Sequence, residues 1–476
     1  MTNPFKYIII TTINTLLLCF GNLAYCYSLD DYMADVTAKN DSYQGAKVQE
    51  LAFKGQKDIL NLQYTTRFFA NTSYLSDQRQ TNSPLFQGLK TNVTSFSSGL
   101  QKITFFGTDV KLYYSQAKTS ISGVDTKFFA DPSFYFNSVN LELTQHLWKD
   151  FFGKQTLAKQ LVKVSQVMSY LYEGTFKQKQ TIASAKKIYY ELAATLQKIE
   201  EQKKAIEIAD STSASIQAKI NLGLGESADL YQIQSFAQTR KYELEQSLTQ
   251  ITKLAIDFNS LKGLNSADLG EQQLSLPSVD YILSYDITSL NLDPNRDDVK
   301  QKEEQMKIAK NNFESSRLDL MPDLDLKVTA SSTGRNANYN PAMTNIWGTN
   351  YPVMSVSLNF STAIDPFLIG KLKAGYKMAQ RSTELTYSQS LMDSIASLEK
   401  LKKQFEMGKS LLKQINDITQ INLKRTKEEQ LRYKRGKTNL YQLCLIEQEY
   451  LLSKINLINL QMQMLQILAE LETFAK

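Results

Sequence analysis

Residues 451–471 read LLSKINLINLQMQMLQILAEL, and this stretch decides the fold because it carries two apolar stripes at once. One runs Leu451, Ile455, Ile458, Met462, Leu465; the other runs Leu457, Leu460, Met464, Ile467, Leu471. Each advances by three and four residues alternately, the spacing that keeps one seam of a supercoiled helix against a partner. The stripes lie about 100° apart around the helix axis, so this helix has neighbours on two sides. A two-stranded coiled coil needs only one seam. Two seams fit a stave in a closed ring of helices, or a helix buried in a large bundle.

Working outward, this helix is the second arm of a long hairpin that fills Asp365 to Lys476 and turns near Tyr433 to Thr438. Ahead of it lie a helical pattern from Arg296 to Leu320, a strand with Leu324, Leu326, Val328 and Ala330 on one face, a polar loop through Tyr339 and Trp347, and a strand with Met354, Val356, Leu358 and Phe360 on one face. The same order occurs earlier. Helical spacing from Leu29 to about Leu60 gives way to two-residue alternation at Leu62, Tyr64, Phe68 and Tyr74, with an exposed loop from Asp77 to Asn92. Alternation returns at Val110-Leu112-Tyr114 and Val139-Leu141-Leu143. A helical stretch from Lys149 to Ile220 then turns at Leu222 to Gly225 and returns from Ser227 to Leu261.

The repeat can be counted. Val139 to Gly153 and Val356 to Gly370 both span 14 positions, and a lysine follows each glycine. From those glycines the turns at Gly223 and Gly436 lie 70 and 66 positions on, a difference of about one helical turn. The chain therefore divides into a first repeat (29–262), a mixed inter-repeat segment (263–295) containing Gly263, Gly270, Pro277 and Pro294, and a second repeat (296–476). The fold class is α+β: internally duplicated long antiparallel coiled-coil helices plus strands. Helices of this length span a distance and enclose no pocket.

Residues 1–28 have the pattern of an export signal, with Lys6 before an apolar run from Tyr7 to Phe20 and small residues after it. Cleavage after Ser28 fits, and Leu23-Ala24-Tyr25-Cys26 also resembles a lipoprotein box, which makes Cys26 a candidate for lipidation. Thr11, Thr12 and Asn14 weaken the same run as a spanning helix. No later segment carries 18 uninterrupted apolar residues, so a membrane would have to be crossed by strands closed into a barrel. Composition narrows the chemistry further. The 54 Lys and Arg against 48 Asp and Glu do not point to nucleic acid. One histidine and three cysteines leave little material for histidine catalysis or a zinc cage, and no phosphate loop or nucleophile constellation is present. No enzyme activity and no cofactor are expected.

Two turn motifs, Asn221-Leu222-Gly223-Leu224-Gly225-Glu226-Ser227-Ala228-Asp229-Leu230 and Arg432-Tyr433-Lys434-Arg435-Gly436-Lys437-Thr438-Asn439-Leu440, occupy corresponding places in the repeats. With Arg296-Asp297-Asp298-Val299, Leu320-Met321-Pro322-Asp323-Leu324 and the duplicated order, they make the chain resemble the TolC-like outer-membrane efflux family. The resemblance implies a homotrimer whose strands close one transmembrane β-barrel in outer-membrane lipid and whose helices form a tunnel across the periplasm. It further implies a periplasmic adaptor (membrane fusion) protein and an inner-membrane transporter as partners, in an efflux or type I secretion system. In the family the tip of the tunnel is closed at rest; Asp229 and Tyr433 match closure positions, Lys437 and Thr438 lie beside them, and Gly223, Gly225 and Gly436 mark the turns that adaptor hairpins clasp. Asp229 also reads as a helix N-terminal charge and Tyr433 as a packed interface aromatic.

This chain departs from the family pattern in three places. Thr438 stands where some members carry arginine, and Gln442 and Leu445 stand where some carry an acidic ring. Lys434, Arg435 and Lys437 make the second turn basic, a pattern that suits an acidic adaptor surface or a solvated tip. Finally, the family supplies two strands per repeat, whereas Gly99 to Ser120 offers an additional hairpin; with no counterpart in the second half, it is expected as an extracellular or rim hairpin, or else as a widening of the barrel. Met462 and Met464 belong to packing seams, and Asp323 and Asp325 to the wet face of a strand. A periplasmic or surface coiled-coil structural protein without a channel is the alternative reading.

Overall fold

The computed structural model describes residues 27–475, apart from 81, 126, 128, 129, 271–273, 349 and 350, and excluding the side chains of 57–60. In chain order the elements are α1 (Leu29–Lys39), α2 (Asp41–Gln56), β1 (Arg67–Asp77), β2 (Lys90–Ile103), β3 (Thr108–Ser122), β4 (Ser133–His146), α3 (Lys154–Asn221), α4 (Ser227–Leu261), α5 (Val279–Ser284), α6 (Asp297–Asp319), β5 (Asp323–Asn336), α7 (Tyr339–Trp347), β6 (Pro352–Ser361), α8 (Pro366–Lys434) and α9 (Leu440–Leu471). The duplicated α+β order is thus present, with the long hairpins α3–α4 and α8–α9 where the glycine count places them. Among the described residues no helix is long and apolar enough to cross a membrane.

The chain forms two compact units. One comprises residues up to 50, 172–300 and 389–476; the other comprises 51–171 and 301–388. The first is helical, and its core is drawn from helices far apart in sequence: Tyr32 and Val36 of α1, Tyr189 and Leu192 of α3, Phe258 of α4, Phe405 and Leu412 of α8, and Leu457, Met464 and Leu465 of α9. Both stripes of α9 are used, since Leu451, Ile458 and Leu465 are buried on one and Leu457, Met464 and Leu471 on the other. Met464 packs so closely over Gly408 that a Cβ there would strike its sulfur. Tyr32 stacks on Phe258 with ring centroids 4.0 Å apart, and its hydroxyl donates to the Phe258 carbonyl.

The predicted opening helix is two helices. Asn40 breaks it: its Oδ1 accepts from the Tyr43 amide at 2.9 Å while its Nδ2 donates to the Leu261 carbonyl at 3.0 Å. An asparagine that satisfies both a helix start and a distant helix end is better placed at a break than inside a helix. Ser28 also has a structural task. Its hydroxyl accepts from the Asp31 amide, and Asp31 returns the bond to the Ser28 amide, a capping box that starts α1. Tyr27 is buried, donates to Asp35 at 2.5 Å and accepts from the Tyr189 hydroxyl at 3.1 Å. The last two residues of the expected export segment are therefore built into the fold, whereas Cys26 and the rest of 1–26 lie outside the described residues.

The second unit is organised by one six-stranded antiparallel sheet in the order β1-β2-β3-β4-β5-β6. Three details differ from expectation. Leu62 and Tyr64 belong to a 3-10 stretch, Lys57–Tyr64, and the strand starts at Arg67; the two-residue spacing there was coincidental. The polar stretch from Tyr339 to Trp347 is a helix, α7, held against β4 and β5 by buried Ala342 and Ile346, with Gly334 giving its backbone room to approach. Most consequentially, the additional hairpin does not stand outside the sheet. β2 and β3 pair with each other over fourteen positions and with β1 and β4 on either side.

Candidate functional site

Register sorts the sheet residues onto two faces, because directly paired residues share a side and successive residues alternate. Phe68, Leu100, Leu112, Leu141, Ala330 and Met354 are paired in one continuous row across all six strands. Neighbouring rows on that face add Val110, Leu143, Val328 and Val356, then Leu326 and Leu358. The apolar face is also the more exposed: Phe68, Leu100, Leu112, Leu141 and Met354 all lie open. A sheet that shows solvent its oily side is suited to a lipid boundary.

The opposite face is polar and less exposed. Arg67, Gln101, Lys111, Glu142, Thr329 and Ser355 form one row of it. Glu142 is bridged by Lys111 at 3.5 Å and Lys327 at 3.0 Å, and Asn140 links Ser138 to Ser331. His146 pairs with Asp325 at 2.5 Å. With Asp323 they form a set, among the described residues, whose nitrogen and oxygen atoms all lie within 4.8 Å, a spacing that a divalent cation would accept. Asp323 and Asp325 thus lie on the wet face, as expected, and share it with the single histidine.

The hairpin turn between β2 and β3 fixes the direction of the inserted strands. Thr104 and Gly107 close it, with the Gly107 amide donating to the Thr104 carbonyl at 3.0 Å. Gly107 adopts φ +69°, and a side chain there would meet the backbone of Asp150 and Gly153, just ahead of α3. Phe105 packs against Tyr64 at 4.3 Å. This turn therefore lies at the helix-bearing end of the sheet, whereas the β1–β2, β3–β4 and β5–β6 connections occupy the other end. The expected extracellular or rim hairpin is corrected to a full-length pair of sheet strands.

The two long hairpins end in the same backbone device. At the first, Leu224 donates to the Lys219 carbonyl and Gly223 to that of Ile220, both at 2.9 Å; at the second, Lys437 donates to Arg432 at 2.9 Å and Gly436 to Tyr433 at 3.0 Å. Both are Schellman caps, and both place glycine at the left-handed position, φ +75° and +67°. Gly225 has a different reason to be glycine: a Cβ would press on Ile220 and Lys219 at 3.0–3.3 Å. Asn439 then caps α9 through its bond to the Gln442 amide, and Asp229 lies in the first turn of α4, where the helix dipole favours a carboxylate.

The structure brings Asp229 and Tyr433 close within one chain. Tyr433 packs with Ile220 and Leu230 against a small cluster from α3, α4 and α9 that includes Ile216, Ile233, Leu440 and Cys444. Lys219 lies 5.4 Å from the centre of its ring. Burial, followed by the field of Asp229, raises the Tyr433 pKa, so its hydroxyl remains a proton donor. Among the described residues it makes no hydrogen bond to Asp229. Lys437 is exposed and Thr438 half-buried; beyond the Lys437 amide's part in the cap, neither is drawn into the pair.

A second polar layer, unsuspected from sequence, lies farther along the same helices. Arg240 is buried over the Phe236 ring at 4.2 Å, with its Nε unpartnered. Facing it is Glu447, whose carboxyl accepts from Gln430 at 2.9 Å and whose pKa is raised by burial. Both line a cavity of about 250 Å³, together with Glu201, Lys204 and Thr426. Beside it, burial pushes the Cys444 thiol up to about 11, so that cysteine is inert.

No protein-family model matches the chain, and no curated protein matches it in sequence. Solved structures do match. The outer-membrane protein VceC of Vibrio cholerae aligns with a TM-score of 0.65 at 11% identity, over 94% of this chain and 96% of its own. The CmeC outer-membrane channel of Campylobacter jejuni gives 0.61 at 14% identity, over 93% and 85%. The open-state MtrE outer-membrane channel of Neisseria gonorrhoeae gives 0.58 at 12% identity, over 93% and 87%. The chain thus has the fold of TolC-like outer-membrane channels along nearly its whole length.

Proposed function

We propose that this chain is the outer-membrane duct of a tripartite export system, efflux or type I secretion, working as a passive homotrimer without catalytic residues. The observation that carries the reading is the two-faced sheet: an exposed side with one apolar row running unbroken across six strands, backed by a side of charged and hydroxyl residues, in a chain whose long helices end in paired turns. In the trimer the apolar side meets outer-membrane lipid, the polar side lines water, and the helices extend through the periplasm. A periplasmic adaptor engages the turns at Gly223, Gly225 and Gly436, and an inner-membrane transporter supplies energy and selects cargo.

Asp229, Tyr433, Lys437 and Thr438 form the resting gate. Tyr433, kept protonated, donates to a carboxylate on an adjoining helix, a directional link that can be broken without unfolding anything. Export processing occurs on the N-terminal side of Tyr27, since removal through Ser28 would strip the cap from α1; Cys26 then becomes the lipidated first residue or the last residue removed. N-terminal peptide mass separates these two.

The decisive experiment is outer-membrane fractionation followed by planar-bilayer recording. Heat-modifiable trimers are expected, with Asp229→Ala and Tyr433→Phe each raising resting conductance several-fold. A soluble monomer would instead establish the channel-free coiled-coil reading, and unchanged conductance in both variants would remove the gate assignment.

A further inference from the structure

Resting on the trimeric-duct reading, we propose that the barrel has eighteen strands, closed by β6 of one copy against β1 of the next, and that its exit is correspondingly wider than the family's four strands per chain would make it. Each chain brings six strands to one sheet whose ends, β1 and β6, are unpaired on their outer sides among the described residues. β6 is exposed at all ten positions and β1 at most of its eleven. Edges of this length cannot stand in lipid, where no water satisfies their amides and carbonyls. The occupant that fits both edges is a second copy of this chain. Because six is even and every pairing is antiparallel, β6 runs opposite to β1, so identical copies join in an unbroken antiparallel ladder.

The inserted strands cannot be set aside from this ring. β2 and β3 lie between β1 and β4, and the turn joining them is wedged against Asp150 and Gly153. Their outward residues Leu100 and Leu112 continue the apolar row set by Phe68 and Leu141. Removing them from the wall would unpair β1 and break that row. With strands about 4.8 Å apart and tilted about 40°, eighteen strands give a backbone diameter of about 36 Å, against about 24 Å for twelve. The outer-membrane segment then admits wider cargo than a twelve-strand wall would.

Cysteine cross-linking tests the seam. Asn71→Cys on the polar face of β1 is combined in turn with Val353→Cys, Ser355→Cys, Ser357→Cys and Asn359→Cys on the same face of β6, treated with a short thiol cross-linker, and resolved without reductant. Ser138→Cys with Thr333→Cys, neighbours on β4 and β5, reports that the reaction works, and the unsubstituted protein is the blank. At least one β1–β6 pair is expected to give covalent trimers, and cryo-electron microscopy of the detergent-purified protein is expected to resolve eighteen strands. Trimers with twelve wall strands and β2–β3 outside would overturn the wide exit while leaving the duct intact. So would cross-linking by Asn71→Cys alone, which joins β1 to β1. A protein that never trimerises defeats the duct itself.

Discussion

The two halves of this molecule agree at the tips of their helical hairpins and disagree in the sheet. At the tips the duplication holds atom for atom: the same pair of amide-to-carbonyl bonds and the same left-handed glycine close α3 and α8. In the sheet, the first half contributes four strands and the second two. The contrast separates what a helix end demands from what a sheet tolerates. A reversing helix must satisfy its last carbonyls in a few residues, and few solutions exist. An antiparallel sheet accepts another hairpin wherever the added strands match its faces and their number is even.

The comparison can be broken first in the helical core. Phe258 in the first repeat and Phe405 in the second are both fully buried, so alanine at either should cost about 3–5 kcal/mol in denaturant unfolding, with similar losses for both. A large loss from only one would show that a single repeat carries the core. The sheet comes next. Gly99 lies so close to the backbone of Leu112 and Tyr113 that Gly99→Val should cost about 3 kcal/mol and lower the proportion of heat-modifiable protein. A variant that melts with the parent would mean that β2 and β3 are loosely held. At the tips, Gly223→Ala and Gly436→Ala should each cost about 1–2 kcal/mol through backbone strain alone, since open space surrounds both Cβ positions. Their equality is the prediction; a wide gap would deny that the two turns are the same device.

The smallest effect concerns Glu447 and is read against pH. Burial raises its folded pKa above the ordinary 4.5, so as pH rises the unfolded chain ionises first and the native state loses stability until the folded carboxyl follows. Glu447→Gln removes this slope. The variant should match the parent in acid and be the more stable of the two toward neutrality. Parallel melting curves across that range would place the carboxyl in water.

Much of this was legible in the sequence. The long hairpins follow from apolar spacing that survives for dozens of residues, and the turns from glycines set at matching counts. The fate of the extra hairpin was not legible, because Phe96 to Lys118 mixes Ser, Gln and Lys with its apolar residues, and such alternation suits a wet rim as well as a wall. Helix α7 is hidden because only two of its nine residues, Ala342 and Ile346, are buried, too few for a helical period to show. Arg240 and Glu447 were invisible for a general reason: a charge on a helical heptad reads as solvated until the partner helix is known. The pairing of Asp229 with Tyr433 is suggested only by family resemblance, since nothing in local spacing ties that aspartate to a tyrosine two hundred residues on.

The stacking of Tyr32 on Phe258 has a consequence for biogenesis. α1 is synthesised before α4, and the burial partner of its Tyr32 lies 226 residues later. An aromatic segment made early must wait, with its oily surface bare, until the returning arm of the first rod has been synthesised. Until that arm emerges, the eleven residues of α1 cannot bury Tyr32 against it.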